Sequence, residues 1–84
     1  MFQNKTKAGL NNICGQNLAR YRKAQKLSQR ELAEQLQVLG LDIDKNAIQR
    51  MEAGKRFITD IELVYLSRAL NQSLEALMDT SLLF

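Results

Sequence analysis

The sequence predicts an all-α domain of five short helices, and three observations support that prediction. No proline interrupts the 84 residues. Apolar residues recur at three- and four-residue spacing instead of alternating as a half-buried strand would. Capping signals also divide the chain into helix-sized pieces.

Ile13, Leu18 and Tyr21, with Leu27 beyond them, mark an amphipathic first helix over about residues 12–25. Ser28 followed by Glu31 forms a capping box, in which each side chain can satisfy a free backbone N–H of the other, and it opens a second helix. Leu32, Ala33 and Leu36 supply that helix's buried stripe, and Gly40 is its expected stop. Asp44 is an N-cap for a third helix, its carboxylate facing the positive end of the helix dipole. This helix keeps Ala47, Ile48 and Met51 on one face and ends before Gly54. Thr59 with Glu62 repeats the capping box and opens a fourth helix to Leu70, with Ile61, Leu63, Leu66 and Leu70 as burial candidates. Asn71 tolerates a left-handed stop, and Ser73 can cap a last short helix carrying Leu74, Leu77 and Met78.

Composition narrows the chemistry. The chain has one cysteine, Cys14, and no histidine, so zinc sites, catalytic triads and histidine acid–base catalysis lack their usual reagents. An enzyme is not expected, nor is a metal, a cofactor or a small-molecule ligand. No apolar run approaches the roughly 18 residues of a membrane span, and Met1–Lys7 lacks the apolar region of a secretory signal. A cytoplasmic setting follows as the expectation. The net charge of +3 is unevenly spread. Lys5, Lys7, Arg20, Arg22, Lys23, Lys26 and Arg30 oppose only Glu31 and Glu34 in the first 35 residues. From residue 57 onward Arg68 alone faces Asp60, Glu62, Glu75 and Asp79. A chain polarised in this way presents a basic side to something anionic.

The third helix, over about residues 45–53, carries the most specific chemistry. Opposite its apolar face, Lys45, Asn46, Gln49 and Arg50 form a polar stripe. These side chains can read base edges in the major groove: arginine matches guanine, asparagine and glutamine match adenine, and lysine finds guanine or phosphate. An ordinary solvated helix face would show the same stripe, so the stripe needs its context. That context is the order Leu27-Ser28-Gln29-Arg30-Glu31-Leu32-Ala33, then Ala47-Ile48-Gln49-Arg50-Met51-Glu52-Ala53-Gly54-Lys55-Arg56, then Leu70-x-x-Ser73-Leu74-x-x-Leu77. Together these strings resemble the lambda-repressor/Cro-like (XRE) helix-turn-helix family from about Ile13 to Leu77.

The resemblance implies a compact five-helix DNA-binding domain whose second and third helices are the helix-turn-helix. It implies base readout by Lys45, Asn46, Gln49 and Arg50. It also implies DNA-backbone contacts by Ser28, Gln29, Arg30, Lys55 and Arg56, and a structural salt bridge between Arg22 and Glu52. The helix dipole agrees on the last point, because Glu52 at a helix C-terminus calls for a nearby cation. The implied partner is double-stranded DNA bound by a homodimer, and the implied role is a stand-alone transcriptional regulator of repressor type. The alternative is an antitoxin-like module of the same fold that neutralises a protein partner.

The stretch from Leu36 to Ile48 is about five residues longer than the family's tight turn. Either the second helix runs longer, or Gly40–Ile43 bulges with Leu41 and Ile43 tucked into the core. Residues 1–10 are expected to be a flexible arm, 11–79 the domain, and 80–84 an apolar tail. Leu82, Leu83 and Phe84 are candidates for a dimer or partner surface; Leu74 and Leu77 could equally close the monomer core. Asp42-x-Asp44-x-Asn46 imitates the start of a calcium loop but has Ala47 where glycine is needed and Ala53 where glutamate is needed. Cys14 reads as a half-buried filler, not a nucleophile.

Overall fold

The computed structural model describes residues 5, 6 and 8–81. The expected dimer surface Leu82–Phe84 lies outside the described residues. Five helices follow in order: α1 (Gly15–Ala24), α2 (Gln29–Leu39), α3 (Lys45–Glu52), α4 (Asp60–Leu70) and α5 (Leu74–Leu77). Among the described residues there is no strand, and the fold is all-α. No helix among them is long and apolar enough to cross a membrane.

Four of the helices open as their cap residues dictate. Ser28 accepts from the Glu31 N–H and Thr59 from the Glu62 N–H, and in both boxes the glutamate answers the cap's own N–H. Asp44 and Ser73 cap α3 and α5 through Ala47 and Ala76. The first helix begins at Gly15, three residues later than its periodicity suggests. Cys14 stands at the N-cap position without a side-chain cap bond, and Asn12, two residues earlier, accepts the Gly15 N–H through its Oδ1 at 2.8 Å.

The four long helices end alike. A residue with positive φ follows each one (Lys26, Gly40, Gly54 and Asn71), and the next N–H closes a six-residue ring onto the helix. This is the Schellman arrangement, which occupies carbonyls that the helix itself cannot satisfy. Lys26, at φ 59°, lacks the freedom of glycine at such a position.

The core draws on every helix. Leu18, Leu32, Leu36, Ile48, Met51, Leu66, Leu70 and Leu77 are fully buried. Both options for the long α2–α3 connection are realised. The second helix runs on to Leu39, Ile43 is buried, and half-buried Leu41 packs on the core. Gln37 donates to the Ile43 carbonyl at 2.7 Å and pins the loop.

Several burial expectations need correction. Ile61 is 65% exposed, because the inward stripe of α4 is Glu62, Leu66 and Leu70, and Ile61 falls to its outer side. Leu74 and Met78 are exposed, leaving Leu77 alone of that trio to close the core. Ala47, by contrast, is half-buried and packs against the core on the face it was expected to share with Ile48 and Met51. Cys14 is buried rather than half-buried, and burial raises its thiol pKa and keeps it protonated.

Candidate nucleic-acid interface

The third helix is eight residues long and sharply two-faced. Ile48 and Met51 are fully buried, whereas Lys45, Asn46, Gln49 and Arg50 are all exposed. None of these four side chains hydrogen-bonds to another described residue, so their donors and acceptors face solvent together. Asp44 fixes the helix start through a 2.8 Å bond from the Ala47 N–H.

The far end of α3 is held by ions. The Arg22 Nε donates to Glu52 Oε2 at 2.6 Å, and a second guanidinium nitrogen donates to Oε1 at 2.9 Å. The third nitrogen reaches the Leu27 carbonyl at 2.7 Å. Each side chain of the pair keeps only 9% of its surface exposed. The hydrogen bonds to Glu52 raise the Arg22 pKa above its ordinary value, so the cation is permanent. Gln29 joins them, its Nε2 donating to Glu52 Oε1 at 3.0 Å. One carboxylate thus ties the C-terminus of α3 to α1 and to the first residue of α2. That fixes the angle between the two helices of the helix-turn-helix.

The asparagines ahead of α1 reinforce this end. Asn12 Nδ2 donates to the Met51 carbonyl at 3.0 Å and to the Arg56 carbonyl at 2.7 Å. Asn11 donates from its backbone to Gly54 and from its side chain to Lys55. Gly15 permits the close approach, since a methyl group there would run into the Met51 carbonyl oxygen. Two more amides treat other helices the same way. Asn17 donates to the carbonyls of Leu77, the last residue of α5, and of Asp79 just beyond it, and Gln25 to the Leu70 carbonyl at the end of α4. The first helix and the residues flanking it therefore form a spine whose amides satisfy carbonyls at three helix ends. The periodicity of the sequence gives no sign of these contacts. Only the Asn12 spacing to Gly15, that of a local cap, could have drawn attention.

The residues expected along the DNA backbone divide in two. Arg30 and Lys55 are exposed cations. The Ser28 hydroxyl accepts from Glu31 and keeps its own O–H to give to an anion. Gln29 is held by Glu52 as described. Arg56 differs from the expectation: its two terminal nitrogens donate to both Glu62 oxygens at 3.0 and 2.8 Å, and one also donates to the Phe57 carbonyl. Glu62 is buried and caps Thr59 as well, so Arg56 anchors the α3–α4 loop to α4. The sequence gives no periodic cue for this pair.

Comparison with known proteins agrees with the geometry. A family model described as helix-turn-helix matches residues 18–77. No curated protein sequence matches the chain. Among solved structures, the restriction-modification controller protein C.AhdI of Aeromonas hydrophila is 28% identical with a TM-score of 0.67, covering 76% of this chain and 89% of that one. The clp gene regulator ClgR of C. glutamicum is 20% identical with a TM-score of 0.70, covering 81% and 82%. The P22 c2 repressor, in complex with a synthetic operator, is 24% identical with a TM-score of 0.68, covering 81% and 96%. The last two likenesses bear on the fold alone. With the match running from within α1 to the end of α5, the chain belongs to the lambda-repressor-like (XRE) helix-turn-helix family of DNA-binding transcriptional regulators.

Proposed function

We propose that this chain binds duplex DNA sequence-specifically with α3 in the major groove, acting in the cytoplasm as a repressor-type homodimer and not as an enzyme. The observation that carries the reading is the two-faced α3, whose unengaged outer stripe is rigidly held by Glu52. In this reading Lys45, Asn46, Gln49 and Arg50 meet base edges. Ser28, Gln29, Arg30 and Lys55 meet phosphates around the N-terminus of α2, where free N–H groups also favour an anion. Arg56 acts one step back by positioning the loop that carries Lys55. The P22 c2 repressor, with the same fold, was solved on an operator, which supports this docking.

Selection of bound duplexes from a random pool, repeated at two salt concentrations, tests the reading. An enriched motif with two-fold symmetry, bound more weakly at higher salt, is the expected result. Enrichment of no motif at either salt would contradict sequence-specific binding.

A further inference from the structure

Three consecutive peptide groups beyond α3 are held by donors that precede α1. The Gly54 carbonyl accepts from the Asn11 N–H at 2.8 Å, and the Lys55 carbonyl from Asn11 Nδ2 at 3.1 Å. The Arg56 carbonyl accepts from Asn12 Nδ2 at 2.7 Å. The Lys55 N–H is engaged as well, donating to the Arg50 carbonyl at 2.9 Å. Both polar groups of the Lys55 backbone are thus fixed, while its side chain stays exposed.

The donors sit on a segment with structure of its own. The Thr6 N–H donates to the Leu10 carbonyl and the Gly9 N–H to the Thr6 carbonyl, both at 2.9 Å. The Thr6 hydroxyl accepts the Leu10 N–H at 3.1 Å. Leu10 is seated so closely on Gly54 that a methyl group on the glycine would run into the leucine side chain.

Asn11 is the informative member. The Lys55 carbonyl can only accept, and this settles which end of the Asn11 amide faces it. The other end, Oδ1, is buried without a hydrogen-bond partner among the described residues. An unpaired buried acceptor costs about as much as the bond at Nδ2 returns, so the side chain is close to neutral for the fold. What it does restrict is the freedom of the Lys55 peptide. A lysine that meets a phosphate from a fixed backbone loses less freedom on binding than one on a loose loop.

We propose that Asn11 is a positioning residue for DNA-backbone binding and acts through Lys55. The inference rests on the reading of Lys55 as a phosphate contact. The neighbouring Arg56 does not substitute for it, because Glu62 holds both of its terminal nitrogens.

Fluorescence-anisotropy titration of a mixed-sequence duplex of about two helical turns, at several salt concentrations, tests this in the full chain. Lys55→Ala should weaken binding and lower the salt slope by about one. Asn11→Ala should weaken binding about threefold or more and move the salt slope toward that of Lys55→Ala. Its melting temperature should stay within about 4 °C of the parent. Added to Lys55→Ala, it should change affinity by less than about twofold, because residues that act through one contact do not add. If Lys55→Ala binds more weakly and Asn11→Ala binds like the parent, the inference alone is overturned. An equal loss from Asn11→Ala with and without Lys55, or a larger fall in melting temperature, makes Asn11 a structural residue and also overturns it. Lys55→Ala with the affinity of the parent overturns it together with the phosphate reading.

Discussion

Replacing Glu52 with alanine removes the carboxylate on which three elements converge. Arg22, only 8% exposed, would lose both ionic hydrogen bonds and keep only its bond to the Leu27 carbonyl. Gln29 would lose its acceptor as well. Breaking a buried pair from one side costs about 3–5 kcal/mol, because the surviving charge stays in a poor solvent. Each partner retains a little exposure, so the lower end, about 3 kcal/mol, applies. A domain of this size loses about 4–8 °C in melting temperature per kcal/mol, so a fall on the order of 15 °C is expected. The cost comes from stranding the partner, so removing both charges should recover much of it. Arg22→Met combined with Glu52→Met should therefore melt well above Glu52→Ala. Thermal unfolding followed by circular dichroism measures all of these. A Glu52→Ala melt within about 3 °C of the parent, or a double variant no more stable than Glu52→Ala, would refute the argument.

Gly15→Ala should destabilise by about 2 kcal/mol in urea titration, as the new methyl pushes the end of α3 away; helix propensity alone would predict a gain of up to about 1 kcal/mol, so the sign of the change decides. Lys26→Gly should stabilise. Relief of left-handed strain returns about 1–2 kcal/mol, extra unfolded-state freedom takes back about 0.5–1, and a raised urea midpoint is the outcome to look for. Acid should weaken the fold in a defined direction. Arg56, with the Thr59 N–H, holds the Glu62 carboxyl below its ordinary pKa, and the Ser28 and Ser81 N–H groups do the same for Glu31 and Asp79. The unfolded chain then takes up these protons first. The stabilisation is complete above the unfolded value of about 4.3 for glutamate and is lost as pH falls through the lower folded values. Urea midpoints between pH 7 and 2.5 should show this decline, and Glu62→Gln should be weaker at pH 7 and converge with the parent in acid.

What could be read from the sequence was local or patterned. The Ser28–Glu31 and Thr59–Glu62 boxes, the Asp44 cap and the Gly40, Gly54 and Asn71 stops all act within a few residues, so the chain spells them out directly. The opposed faces of α3 follow from helical spacing, and the family's ordered strings brought in Arg22 with Glu52. The structure then shows why that pair matters, through its bidentate geometry and the Gln29 bond. What stayed hidden depends on distant chain. Asn12, Asn17 and Gln25 reach carbonyls 39 to 62 residues away, and no periodicity encodes such a partner. Lys26 hides for a different reason, since tertiary packing imposes on it a conformation its own preferences oppose. Ile61 misled because an apolar residue at the start of a helix fits the inward stripe almost as well as the outward one. Arg56 looked like a free cation because its acceptor, Glu62, was already accounted for as a cap.

The central claim is that the outer face of α3 reads sequence. Its most direct test compares the affinity of the parent and of Arg50→Ala for the selected site and for a scrambled duplex, at one fixed salt concentration. Loss of a bidentate base contact is worth about 1–3 kcal/mol. The account therefore predicts that Arg50→Ala lowers the ratio of specific to scrambled affinity about tenfold or more, with the melting temperature unchanged. An unchanged ratio would contradict it.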